Sequence, residues 1–178
     1  YHVVMYDNET GEVIERKTHQ GYSDESCWAR GQAWGIYGFT MTYRETGDKR
    51  FLETAQQLAD YFIEHLPDDF VPYWDFDAPN IPNEERDTSA GAIAASALFE
   101  LSKLSADQKK KLFYRYTAEN ILHSLCSKPY LAKGTDSAAT LLHGVGNKPG
   151  GKQIDVSLIY GDYYFIEALL RYQRLPKP

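Results

Sequence analysis

The segment richest in chemistry is Trp28-Ala29-Arg30-Gly31-Gln32-Ala33-Trp34-Gly35, preceded by His19-Gln20-Gly21-Tyr22. Helical spacing places Arg30 and Trp34, four residues apart, on one face, with Trp28 half a turn away at the helix mouth. A guanidinium pairs bidentately with a carboxylate, and a helix N-terminus favours an anion. Indole faces stack on a pyranose ring. The trio therefore reads as a site for a sugar that carries a carboxylate. The same spacing also fits a core Trp pair with Arg30 in a buried ion pair.

Four carboxylates lie near aromatics or helix starts: Asp75, Asp77, Asp87 and Asp162. A glycosidase-type acid needs a partly dry pocket to raise its pKa. Asp87 reads most simply as a helix N-cap, and Asp75 and Asp77, in a Pro-rich loop, as turn formers. Asp162, in Tyr160-Gly161-Asp162-Tyr163-Tyr164, reads as a structural hydrogen-bond acceptor, so no acid–base pair stands out. The 5 histidines form neither H-x-x-x-H nor H-E-x-x-H, so no metal set is predicted. His2 and His19 are expected to share the mouth, whereas His65 and His123 fall on amphipathic helices as surface residues. No phosphate-loop motif occurs. Lys148 and Lys152 read as solvated loop lysines, with contact to an anionic ligand as the alternative.

These residues need elements to position them. His2–Tyr6 and Glu12–Glu15 read as a β-hairpin around the turn Asp7–Gly11. Cys27–Thr46 is predicted to be a helix, capped by oxygens of Ser23, Asp24 or Ser26 and stopped by Gly47. Its three glycines, each costing about 1 kcal/mol against Ala, suggest that another backbone packs closely there. Lys49–Leu66 carries an amphipathic stripe and must fold back on it across the short connection Thr46–Asp48. Thr88–Leu104, capped by Asp87, is small-residued all round and predicted to be buried. Asp107–Ser127 is amphipathic, and a last helix is predicted from about Val156 to Leu175, capped by Asp155 and stopped by the prolines at 176 and 178. Inner-type helices thus begin near 27, 87 and 156, a repeat that suits αα-hairpins in an inner and an outer layer. The connections Pro67–Arg86 and Pro129–Ile154 exceed the usual loop length and are read as functional.

Composition bounds the reading. The 178 residues suit one domain, and 43% apolar with 25% charged residues excludes wholesale disorder. A net charge of −6 argues against nucleic acid or an anionic membrane as main partner. The 14% aromatic content, with 14 Tyr and 3 Trp, suits a ring-shaped ligand and a Tyr-rich helical core equally. Cys27 and Cys126 exclude a disulfide-rich scaffold and leave the compartment open. The abrupt strand at Tyr1 suggests that residues upstream are missing.

The string WARGQAWGIYGF (Trp28–Phe39), after HQGY (His19–Tyr22), resembles unsaturated glucuronyl hydrolases, glycoside hydrolase family 88. PYWDFDAP (Pro72–Pro79), RDTSAGAIAASALFEL (Arg86–Leu101) and IDVSLIYGDYYFIEALLR (Ile154–Arg171) agree in the same order. The resemblance implies an all-α (α/α)6 barrel, here roughly its C-terminal half, with the active site where the inner helices start. It implies hydrolytic release of a terminal 4,5-unsaturated uronic acid from lyase-generated oligosaccharides by enol-ether hydration, with no cofactor. It also implies that the proton-donor aspartate lies upstream of Tyr1, so that this chain alone is inactive. By motif position His2 matches an active-site histidine, Gln20 a substrate-contacting glutamine, and Trp28, Arg30 and Trp34 the substrate pocket. Arg30 would hold the uronate carboxylate or a nearby sulfate. The last long loop, GNKPGGKQID, lacks the Ser-x-x-Ser-x-Lys sulfate-binding pattern of some members, leaving Lys148 or Lys152 as substitutes. An unsaturated rhamnogalacturonyl hydrolase and a non-catalytic carbohydrate-binding helical module are the competing readings.

Overall fold

Apolar periodicity and caps produce five helices after a short hairpin in the computed structural model, which describes residues 1–175. The prolines at 176 and 178, read above as the stop of the last helix, lie outside the described residues. Strands β1 (Val3–Tyr6) and β2 (Val13–Lys17) pair antiparallel, with Val3 opposite Lys17. Helices α1 (Ala29–Thr46) and α2 (Lys49–Glu64) follow, joined through Gly47 at φ 70°, the left-handed position that favours glycine. Asp48 caps α2 by accepting from the Arg50 amide at 3.0 Å. Helix α3 (Thr88–Leu104) is capped by Asp87, and α4 (Gln108–Leu125) by Asp107. Helix α5 is Ile159–Gln173.

Layering follows from side-chain size. Helix α3 buries 14 of its 17 residues, because Ala, Gly and Ser let helices approach on every side. It packs against α1, α4 and α5, and α2 covers α1. Helices α1, α3 and α5 thus form one layer, with α2 and α4 outside it. Ile93, Leu98, Phe99 and Leu101 of α3 are fully buried, each worth about 1.5–3 kcal/mol of transfer free energy.

Three expectations about helix ends and packing are corrected. Helix α1 begins at Ala29, and no side chain caps it. The Ala29 amide instead donates to the Trp74 carbonyl at 3.1 Å, while Ser26 Oγ donates to Asp75 and Asp24 accepts from the Thr18 amide. Backbone from the 67–86 loop does the work of a cap, which helix-local signals do not reveal. Helix α5 likewise starts later than Val156, after Leu158, and Asp155 pairs with His143 instead of capping. The α1 glycines meet side chains, not backbone: a Cβ on Gly31 would lie 2.7 Å from the Trp28 ring, one on Gly35 2.9 Å from Leu58, and one on Gly38 nothing.

Helix α5 leaves a stripe uncovered. Ile159, Tyr163, Ile166 and Leu170, spaced to share one face, are 86, 60, 49 and 44% exposed. A contiguous apolar strip of this kind drives association. The chain is expected to self-associate in sedimentation velocity as concentration rises, and Ile159→Lys with Ile166→Lys to return it to monomer. A wild-type monomer at all concentrations would contradict the expectation.

Candidate functional site

The first turns of α1, α3 and α5 converge, and Arg30 sits where they meet. Its guanidinium, 2% exposed, lies 2.6 Å from Asp87, the α3 cap, and donates to Ser89 Oγ at 3.4 Å. It also donates to the carbonyls of Val145 and of Gly146, the latter at 2.7 Å. Trp28, the residue before α1, flanks it with ring centroid 4.8 Å from the guanidinium carbon, and Tyr160 of α5 flanks it at 5.3 Å. Of the two readings of the Arg30 spacing, the structure builds the buried ion pair. Asp87 does double duty, capping α3 through the Ser89 amide at 3.1 Å and neutralising Arg30. Burial of the Tyr160 hydroxyl raises its pKa.

The other predicted residues fall in four places. Gln20 joins Arg30: its Nε2 donates to the same Gly146 carbonyl at 2.8 Å. His2 packs at a tilt against Trp28 with ring centroids 4.6 Å apart, and its Nδ1 lies 3.2 Å from Thr18 Oγ1. Burial, the Tyr1 amino group and His19 lower the His2 pKa, favouring the neutral ring. His2 and Trp28, with Ser26, Cys27 and Gln32, line a cavity of about 260 Å³. Trp34 is not in this cluster. One turn further along α1, it meets Tyr164 of α5 edge-on at 5.0 Å. His19 and Lys152 are exposed. His65, at the C-terminal end of α2, and His123, on α4, are exposed, as expected.

Lys148 is neither a solvated lysine nor a free ligand. Its ammonium is ion-paired with both Glu84 and Glu85 and lies 5.4 Å from the Trp74 ring. Both glutamates are far from it in sequence, so pattern reading had no signal for the pairing.

The remaining carboxylates serve the framework. Asp75, fully buried, accepts from the Tyr22 amide, Ser26 Oγ and the Asp77 amide. Asp162 accepts from the amides of Thr140 and Leu141 at 2.9 and 2.8 Å. Asp162 is a structural acceptor, as its context suggested, and Asp75, read as a turn former, accepts the local Asp77 amide but also ties in Tyr22 and Ser26 from far along the chain. Cys27, on the cavity wall, is a poor nucleophile. Burial, with Asp75 and Asp77 nearby, pushes its thiol up to about 12.

Glu84 carries a pH dependence. Burial alone would raise its pKa, but hydrogen bonds from Lys148, Trp74 Nε1 and Asn80 outweigh it and lower the value to about 2. A folded pKa below the unfolded one, 4.5, contributes stability that is complete above pH 4.5 and lost as pH falls toward 2. Urea midpoints of the wild type should therefore fall across that window, and those of Glu84→Gln should fall less. Parallel curves would remove Glu84 as the cause.

The fold and the mouth at its helix starts define a class: solved structures that match this chain are unsaturated glucuronyl hydrolases. One, described as specific for heparin, superimposes with a TM-score of 0.91 at 48% identity, covering 97% of this chain and 46% of that one. A mutant of the Streptococcus agalactiae enzyme, complexed with dGlcA-GalNAc6S, matches with a TM-score of 0.82 at 41% identity, over 95% of this chain and 45% of that one. The chain is a homologue of the unsaturated glucuronyl hydrolase of Formosa agariphila, 46% identical over 98% of its own length and 44% of the relative's. It thus spans less than half of the curated relative, and no family model matches it. The resemblance read from the motifs is borne out.

Proposed function

We propose that this chain is the C-terminal portion of an (α/α)6-barrel hydrolase that releases a terminal 4,5-unsaturated uronic acid from lyase-generated glycosaminoglycan or related oligosaccharides. The observation that carries the reading is the match of nearly all of this chain to somewhat under half the length of enzymes of that activity, one of them solved with an unsaturated disaccharide. Two layers of αα-hairpins, with inner helices starting at one mouth, support the barrel.

In this reading the reaction is hydration of an enol ether. A carboxylic acid protonates C4, the oxygen of water adds at C5, the resulting hemiketal opens to a C5 ketone, and the hemiacetal this leaves at C1 collapses to an aldehyde, releasing the remaining saccharide as an alcohol. This chain supplies the sugar-binding wall. Trp28 lines the cavity with its indole, and His2 packs against it at a tilt. Gln20 is fixed through its Nε2, which leaves its carbonyl oxygen for a sugar hydroxyl. Arg30, its charge met by Asp87, acts as the frame of the mouth, tying α1, α3 and the 143–156 loop together. Trp34 contributes from further along α1. The acid itself comes from the portion that the relatives have and this chain does not. The test is turnover of an unsaturated uronyl disaccharide, followed as loss of C=C absorbance, by the protein completed with that portion. Absence of turnover there would overturn the reading.

A further inference from the structure

We infer that Lys148 is a positioning residue, closing a clamp that holds the backbone carbonyls to which Gln20 and Arg30 are bonded. The Gly146 carbonyl accepts from Gln20 at 2.8 Å and from Arg30 at 2.7 Å, and the Val145 carbonyl also accepts from Arg30. Two side chains of the mouth therefore depend on where residues 145 and 146 lie. Just beyond them the chain makes a tight hairpin, with Gly146 donating to Gln153 at 2.7 Å and Asn147 and Lys152 exchanging backbone bonds of 3.0 Å. A Cβ on Gly146 would lie 2.7 Å from Cβ of Gln153, so this close pairing requires glycine.

From that hairpin Lys148 reaches across to the other long loop. Among the described residues it is the side chain of 147–153 that bonds outside the hairpin, and it does so to Glu84 and Glu85. Those glutamates are themselves fixed. Glu84 accepts from Trp74 Nε1 at 2.8 Å, and the Trp74 amide donates to the Glu85 carbonyl at 3.0 Å. The Trp74 carbonyl in turn accepts from the Ala29 amide at the start of α1, and Val145 packs on Trp74. The circuit is closed: α1 start, Trp74, Glu84 and Glu85, Lys148, Gly146, Arg30. Charge-assisted bonds in a half-buried setting are the strong ones, so this contact governs how often the hairpin tip opens.

The inference deepens the proposed function, on which its kinetic arm rests; its exchange arm does not. In the chain as it stands, Lys148→Met should accelerate amide hydrogen exchange at Gly146 and Asn147 about tenfold, equivalent to about 1.4 kcal/mol. Lys148→Arg should restore slow exchange, and amides of α3 should be unchanged in both. Exchange within about twofold of wild type in Lys148→Met would overturn the clamp. Should that variant fail to fold, Glu85→Gln, which removes one carboxylate and keeps Glu84, should give a smaller acceleration at the same amides; no acceleration would overturn it. In the completed protein Lys148→Met should lower kcat/KM for an unsaturated uronyl disaccharide about tenfold, with recovery in Lys148→Arg. Faster exchange with unchanged kcat/KM would overturn the link to the mouth. A wild type without turnover would remove the proposed function and leave exchange to decide the clamp.

Discussion

Arg30→Ala is expected to destabilise the chain by about 3–5 kcal/mol, the range for breaking a buried ion pair from one side. Asp87, fully buried, would keep Ser89 as a donor but lose its countercharge 2.6 Å away. The carbonyls of Val145 and Gly146 would lose their guanidinium donors as well. Urea denaturation measures the loss. A double variant, Arg30→Met with Asp87→Asn, should recover a large part of it, because no unpaired charge then remains. The spacing-based reading of Arg30 as a free carboxylate ligand predicts another outcome, a strongly raised KM in the completed protein at unchanged stability. Stability unchanged to within about 1 kcal/mol would favour that reading and refute the structural assignment.

The second large effect is the absence of turnover by this chain alone. Asp75 and Asp87 are enclosed and engaged by protein donors, so neither reaches a sugar. Glu84, with its pKa lowered to about 2, holds no proton to give at neutral pH and is taken by Lys148. General-acid assistance is worth about 10²- to 10⁴-fold, and without it hydration of the C=C bond should fall below detection. Absorbance should stay constant with the chain alone and decline once the complementary portion is present. Turnover by the chain alone would place the acid among its own residues.

The helices were legible because their signals are local. The Asp87 cap, the Gly47 stop, and the small-residue run of α3 act through neighbours a few positions away. The ends that were misplaced, at α1 and α5, take their partners from elsewhere: the Ala29 amide from Trp74, and Asp155 from His143. Tyr160 was visible as an aromatic at a helix start, yet its place over Arg30 depends on how α5 packs beside α3.

Periodicity, capping and short motifs are written within a few residues, which is why the helices, their layering and the motif string shared with unsaturated glucuronyl hydrolases can be read along the chain. The use of the charges came from packing. Arg30 chose Asp87, 57 positions away, and Lys148 chose Glu84, 64 positions away. A charge pairs with whatever the packed fold brings within reach of its side chain, and no spacing along the chain encodes that.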